Sequence, residues 1–287
     1  MNVLLCGASG FIGRAIAHAL REAGHQVVEG RSATMDFATS LDPATWAPRL
    51  EGIDAVINAV GVLRDTPERP IDALHHRAPA ALFQACADRG VRRVIQISAL
   101  GIEGNGTRYA TTKRAADAAL LALHRAGRLD VTIVRPSIVF GRAGASSRMF
   151  MALARLPVLM LPAEAARARV QPLTVHDLGQ ACAALVALKG PELMEAVGPR
   201  ALTLGDFIVE LRRQLGRLPA WRLTLPAALS PWSARLGDLL PFLPWGSETL
   251  SLLRTDNTGD ASRLQSLLTR PATPIERFVE AAWASGE

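Results

Sequence analysis

Two kinds of apolar pattern alternate along the first 140 residues. Short runs rich in aliphatic and β-branched residues, at Asn2–Cys6, Gln26–Gly30, Ala55–Ala59, Arg93–Ile97 and Val131–Val134, read as buried strands. Between them lie longer Ala-rich stretches whose apolar positions recur at helical spacing, which predicts helices over Phe11–Ala23, Ile71–Arg89 and Tyr109–Ala126. Strand and helix in strict alternation predict an α/β fold, a doubly wound parallel sheet of the Rossmann kind, whose ligands gather at the carboxyl ends of the strands.

After Arg135-Pro136 the rhythm changes. Gly141–Pro172 is loop-rich with one helix at Ser146–Leu156, and a helix over Val175–Lys189 with a strand at Leu193–Val197 returns the chain to the sheet. From Thr203 onward a helical reading broken by prolines predicts a smaller, mainly helical lobe. The expected division is 1–198 for the nucleotide-binding domain, with 141–172 on its substrate side, and 199–287 for the lobe.

The first turn carries chemistry. Gly7-Ala8-Ser9-Gly10-Phe11-Ile12-Gly13 leaves the first strand and opens the first helix, the context in which a glycine fingerprint has meaning. Gly7 permits the tight turn, Gly10 uncovers backbone amides for a diphosphate, and Gly13 lets the helix pack closely on the strand. The second strand runs into Arg31-Ser32. An acid at that strand end takes the ribose hydroxyls of NAD, whereas a guanidinium matches a 2′-phosphate bidentately, so Arg31, with Arg14 after the third glycine, predicts NADP. Glu29, two residues before Arg31, keeps NAD open if the strand register differs.

Tyr109 is the chain's only tyrosine, and Lys113, four residues on, is one of only two lysines among thirty arginines. That spacing places phenol and ammonium on one helical face. A cation beside a phenol favours the phenolate and makes it a usable acid or base near neutral pH. Ser98 ends the fourth strand, where its hydroxyl would hold a substrate carbonyl while Tyr109 moves the proton. Thr107 is the competing hydroxyl.

Composition narrows the reading without redirecting it. A formal charge of +6 comes from scattered arginines with no basic patch interleaved by aromatics, so nucleic acid is not an expected partner. Cys6, Cys86 and Cys182 are far apart in apolar runs and read as buried thiols in a reducing compartment; the six histidines show no metal-ligand spacing. The first glycine at position 7 leaves no room for a secretory leader, and no apolar run reaches membrane-spanning length. A cytoplasmic protein is therefore expected.

The glycine turn, strand-end Ser and Tyr-x-x-x-Lys together resemble the short-chain dehydrogenase/reductase superfamily. The runs Gly7–Arg14, Arg135-Pro136-Ser137-Ile138-Val139-Phe140-Gly141 and Gln171-Pro172-Leu173-Thr174-Val175-His176-Asp177-Leu178 are similar to its extended and atypical branch, and most of all to bacterial relatives of the Rossmann accessory subunit of respiratory complex I. The likeness covers roughly residues 1–215. It implies NADP(H) in the cleft, with Pro136 and Ser137 near the nicotinamide, Asn58-Ala59-Val60-Gly61 near the adenosine-side ribose and Asp36 near adenine. One departure stands out: Ser98 precedes Tyr109 by eleven positions, slightly fewer than is usual, across the glycine-rich loop 101–106.

Three functions follow as expectations. The first is an NADP-dependent oxidoreductase acting on a small, carbonyl-type and rather apolar substrate. The second is a binding protein of assembly or regulation that holds NADPH without turnover, and the third a nucleotide-sugar epimerase or dehydratase. The Leu-, Trp- and Pro-rich segment 218–253 reads as a lobe closing over the cleft or as a peripheral contact with the inner face of a membrane; a dimer is the default assembly.

Overall fold

The computed structural model describes residues 1–30, 35–225, 251 and 257–284. Arg31 and nearly all of 226–256 lie outside these, and with them the proposed 2′-phosphate residue and most of the Trp-rich segment.

Six parallel strands form the main sheet: β1 (Asn2–Cys6), β2 (Gln26–Gly30), β3 (Ala55–Asn58), β4 (Arg93–Ile97), β5 (Asp130–Pro136) and β6 (Leu193–Ala196), in the order β6-β5-β4-β3-β1-β2. Strands β3 and β4 are buried along their whole length, which is why neither alternates apolar with exposed positions, and their polar residues, Asn58, Arg93 and Gln96, are buried too. Edge strand β2 alternates instead, leaving Val28 exposed. The strand order reverses between β1 and β3, with β2 on one side of β1 and β3 on the other, and the carboxyl ends of β1, β3 and β4 face the same rim.

Helices cover both faces. On one, the short α2 (Pro43–Trp46) with α3 (Ala78–Arg89) and α4 (Arg108–Arg125) buries Trp46, Leu82, Phe83, Ala116 and Leu120 in one core with residues of β3, β4 and β5. On the other, α1 (Phe11–Glu22) lies along α7 (Val175–Ala187), its Ile16 and Leu20 in one core with Leu178, Ala181 and Leu185. Both helices end close to their expected positions.

The lobe departs from the expected division at 198/199. Its core is made by Phe140, Phe150, Phe207 and Phe278, whose rings stack or meet edge to face at 5.4 to 6.0 Å, and these come from three separate stretches of chain. They belong to the segment holding α5 (Ala145–Arg155) and α6 (Ala163–Arg167), to α8 (Leu204–Gln214) and to the terminal helix Phe278–Ala284. Between the last two the chain returns to the main domain, where helix Ala261–Leu267 buries Leu264 beside α7 and β6. Nor is 203 onward all helix: Trp221–Leu225 is a strand parallel to Val158–Pro162. Its Trp221 is 78% exposed and Leu223 is also largely open, as are Val158 and Met160 paired with them.

The glycine turn is tight for a physical reason. A Cβ on Gly13 would lie 2.0 Å from the Gly7 carbonyl oxygen, and Gly7, at φ +81°, sits so close to the Ala59–Val60 peptide that a Cβ there would be 3.0 Å from it. Replacing Gly13→Ala forces the helix off the strand; we expect a lowered unfolding temperature, from a strain of at least about 1–3 kcal/mol, together with loss of dinucleotide binding by calorimetry. A variant as stable as the parent would contradict this packing.

Candidate functional site

The site lies where β1, β3 and β4 end. Gly10 caps α1 without a side-chain hydrogen bond, and the first helical bond is the Arg14 amide to the Gly10 carbonyl, so the amides of the first turn have no side-chain acceptor. This is a cradle for an anion at a helix amino terminus, with glycines keeping the approach open. Arg14 folds back over the turn, its guanidinium donating to the Ser9 carbonyl at 2.6 Å. The residues present fit a dinucleotide diphosphate.

Asn58, at the end of β3, is fully buried and holds the neighbouring turn rather than facing the cleft. Its amide donates to Gln96 on β4 at 2.8 Å and its side-chain oxygen accepts from the Val60 amide at 3.2 Å. The turn Ala59-Val60-Gly61 is thereby set against Gly7 on one side. On the other side, the Lys113 ammonium donates to the Val60 carbonyl at 3.3 Å and to the Ile97 carbonyl at 3.0 Å. Lys113 is 3% exposed, and burial brings its pKa down from 10.5 to about 8.

The α4 helix begins at Thr107, whose hydroxyl accepts the Ala110 amide; this makes Thr107 a cap, engaged in starting the helix that carries Tyr109 and Lys113. Tyr109 is half-buried and meets the ring of His75 edge to face at 5.2 Å. His75 is a residue the sequence reading passed over. It sits in a π-helical turn, Ala73–Arg77, ahead of α3. Its Nε2 accepts from the Val62 amide at 2.9 Å, which leaves the proton on Nδ1, 3.2 Å from the Thr112 hydroxyl. Burial, and then the nearby Lys113 charge, push its pKa down to about 2, so it is neutral at any working pH.

Ser98 differs from the sequence expectation. Its amide continues the pairing with β5, and its hydroxyl, 4% exposed, donates to Asp117 on α4 at 2.8 Å. Arg135 on β5 donates to the same carboxylate oxygen from Nε at 3.2 Å and Nη2 at 2.9 Å. The hydroxyl is thus turned toward the helix, because a buried carboxylate needs donors more than an open cleft does. Ser137 is similarly engaged, donating to the Asn257 carbonyl at 2.8 Å and accepting from the Gln171 amide, while Pro136 closes β5 beside Ala196. Asp36 is exposed and caps its own turn through the Ala38 amide. Glu29 is paired with Arg21 of α1.

On the lobe side, Gly141 packs against the Phe11 ring and also borders a cleft of about 330 Å³. Arg142, Arg148, Arg155, Met151 and Trp283 line it as well, a basic wall with an aromatic edge. Among the described residues there is no cluster of metal-ligating side chains, and no helix is long and apolar enough to cross a membrane. The three thiols are buried, with pKa values pushed up by desolvation, to about 12 for Cys6 and Cys182, and are chemically quiet.

The profile of the NAD dependent epimerase/dehydratase family matches residues 3–160, more than half of the chain. The chain belongs to that family. Among curated proteins it is 25% identical to subunit 9 of the NADH dehydrogenase [ubiquinone] 1 alpha subcomplex of Rattus norvegicus, over 83% of this chain and 67% of that one. It is 27% identical to the ceramide reductase of Caulobacter vibrioides, over 64% and 60% of the two chains. The chain spans about 60 to 70% of the length of the curated relatives it matches. Among solved structures, UDP-glucuronic acid 4-epimerase of Bacillus cereus, held with UDP-glucuronic acid and NAD, superposes with a TM-score of 0.70 at 17% identity, over 99% and 98% of the chains. A dTDP-glucose 4,6-dehydratase of Streptomyces venezuelae gives 0.62 at 19% identity, over 79% and 84%. These superpositions agree with the family match on the fold, a parallel Rossmann-type sheet with flanking helices.

The lowered Lys113 pKa has a consequence for stability. A lysine titrating near 8 in the folded chain and near 10.5 when unfolded binds fewer protons folded than unfolded between those values, so its burial weighs against folding below pH 8 and ceases to do so as pH rises to 10.5. We expect the stability difference between parent and Lys113→Gln to move in the parent's favour across pH 8–10.5 by about 3 kcal/mol. Denaturant titrations of both proteins at several pH values measure it; a flat difference would contradict a buried ammonium.

Proposed function

We propose that the chain binds NADP(H) and acts as an oxidoreductase of the short-chain dehydrogenase/reductase type on a carbonyl-type small molecule. The observation that carries this reading is the Lys113 ammonium, buried at the carboxyl rim between the β3 and β4 ends and one helical turn from the sole tyrosine. A structural lysine has no reason to sit at the rim of a nucleotide cradle, and burying an ammonium is costly unless its charge is used.

When bound, the nicotinamide supplies or accepts the hydride. Everything else falls to the chain's own side chains. The first turn of α1 holds the diphosphate on uncapped amides. Lys113 keeps a positive charge beside the Tyr109 phenol, favouring its ionised form, and offers donors to a ribose in place of the two carbonyls it now contacts. Tyr109 gives the proton to the substrate oxygen or takes it away. Neutral His75, packed on the phenol ring, fixes the ring without competing for that proton. Ser98, bonded to Asp117, is assigned no contact with substrate in this reading.

NADP over NAD is supported by Arg14 lying over the turn, by Arg31 following β2 in sequence, and by Glu29 being paired with Arg21 rather than presented as a ribose acceptor. We expect NADPH to bind at least about tenfold more tightly than NADH by calorimetry, and Arg31→Ala to shrink that ratio. Equal affinities would assign the pocket to NAD, the dinucleotide found in the epimerase neighbour.

A second reading, a protein that holds NADPH without turnover, is favoured by two observations: the orientation of the Ser98 hydroxyl away from the cleft and the similarity to a complex I subunit over most of the chain. Tyr109→Phe separates the two. For an oxidoreductase the variant loses turnover by about 10²-fold or more against an active carbonyl substrate while keeping its NADPH affinity. Copurified NADPH that is never oxidised across a broad carbonyl and quinone panel, in parent and variant alike, would establish the second reading.

A further inference from the structure

We infer that Asp117 is the positioning residue of the Tyr109–Lys113 pair: held by Ser98 and Arg135 where β4 and β5 end, its carboxylate fixes α4 against the sheet and supplies the buried anion opposite the Lys113 ammonium. The inference rests on the reading of Lys113 as part of the working site. Asp117 follows Lys113 by four residues, which sets the two on one helical face a turn apart. It is 2% exposed. One carboxylate oxygen takes all three donors, the Ser98 hydroxyl and two guanidinium nitrogens of Arg135, while the other, Oδ1, is buried with no hydrogen-bond partner. Burial pushes the Asp117 pKa up, and the Ser98 and Arg135 donors, then the Arg135 and Lys113 charges, oppose that rise and favour the carboxylate.

Stability alone does not explain such a group. A buried ion pair contributes little net stability compared with apolar packing of the same shape, so the arrangement makes sense through what it does to its neighbours. Those neighbours are few. Lys113 shares a helical face with Tyr109 and Asp117, lies near neutral His75 of the π-turn, and is held from the β3 and β4 ends by the carbonyls of Val60 and Ile97. Arg135 approaches only through Asp117, and its remaining nitrogen is tied to exposed Glu103 in the loop that leads into α4, at 2.7 Å. Burial pulls the Lys113 proton off; Asp117 opposes that loss. The same grip also joins both strand ends, the 101–106 loop and the catalytic helix into one unit, so the reach of Lys113 to the β3 turn depends on it.

The chain's two lysines make the test direct. Uniform lysine labelling yields only Lys113 and the exposed Lys189, and their titration by NMR can be followed in the nucleotide-free full chain, independently of whether it proves to be an oxidoreductase. Asp117→Asn is expected to lower the Lys113 midpoint by about one pH unit or more, and Arg135→Gln, which leaves the carboxylate unneutralised, to raise it; Lys189 stays put in both. Opposite shifts from two neighbouring lesions cannot come from general loosening. Asp117→Glu should return the midpoint toward that of the parent. An unmoved midpoint in folded Asp117→Asn, or no rise in Arg135→Gln, overturns the inference. Should Asp117→Asn fail to fold, the Arg135→Gln shift decides alone. Failure of the oxidoreductase reading would appear elsewhere, as absent turnover with these shifts intact.

Discussion

The Lys113 ammonium is sealed from water, and an unsolvated cation is tolerable only where oxygen atoms surround it. Two of those atoms are main-chain carbonyls at the ends of adjacent strands, Val60 after β3 and Ile97 on β4. Much of the rim is arranged around that requirement. The Val60 carbonyl is in reach because Asn58 pins the turn through the Val60 amide, and Asn58 is itself held by Gln96 across the strand pair. The same turn lies on Gly7, where no side chain would fit. Diphosphate cradle and ammonium therefore share one piece of backbone, and a disturbance of either is felt by the other.

Closure of the lobe onto this rim uses a different kind of link. Asp177, buried in the first turn of α7, accepts from the Arg270 guanidinium at 2.6 Å and from the Thr273 amide at 3.0 Å, which anchors the stretch before the terminal helix. Gln171 donates to the Gly198 carbonyl and accepts from the Gly259 amide, and Ser137 donates to Asn257. The residues whose order resembles the extended branch, 135–141 and 171–178, thus act largely as joints between distant pieces of chain. Their positions are demanding because several backbone groups converge on each side chain; nothing about a ligand is needed to explain them.

How much of this was legible follows from which interactions are local. The central strands were legible because burial on both faces favours aliphatic and β-branched residues, edge strand β2 because Val27 and Val28 give it the same character, and the glycine turn because only glycine survives the approach of Gly13 to Gly7. Tyr109 and Lys113 were visible as a spacing within one helix. His75 was not: a π-helical turn of five residues shifts the phase of the helix ahead of α3, and no periodicity argument anticipates that. The orientation of Ser98 was hidden for another reason. It depends on Asp117, nineteen positions away, and on Arg135 from the next strand, so a strand-end serine looked the same whether it faced cleft or helix. The lobe's strand at Trp221–Leu225 was mistaken for helix because its pairing partner, Val158–Pro162, lies about sixty residues earlier and supplies the backbone bonds that propensity could not.

The electrostatic character of the pocket follows from these non-local contacts. In the proposed oxidoreductase reading, a neutral imidazole, an ammonium near the lower end of its range and a carboxylate committed to an arginine leave the proton exchange to Tyr109. His75 cannot serve as an alternative base, since its Nε2 lone pair is occupied by the Val62 amide and protonation would place two cations side by side. In that reading Lys113 does not take over either, since the role proposed for it is to keep its charge on the helical face that carries Tyr109. Each neighbour thus excludes itself by the contact that fixes it, and the division of labour within the site is a consequence of packing rather than of the intrinsic pKa of any one residue.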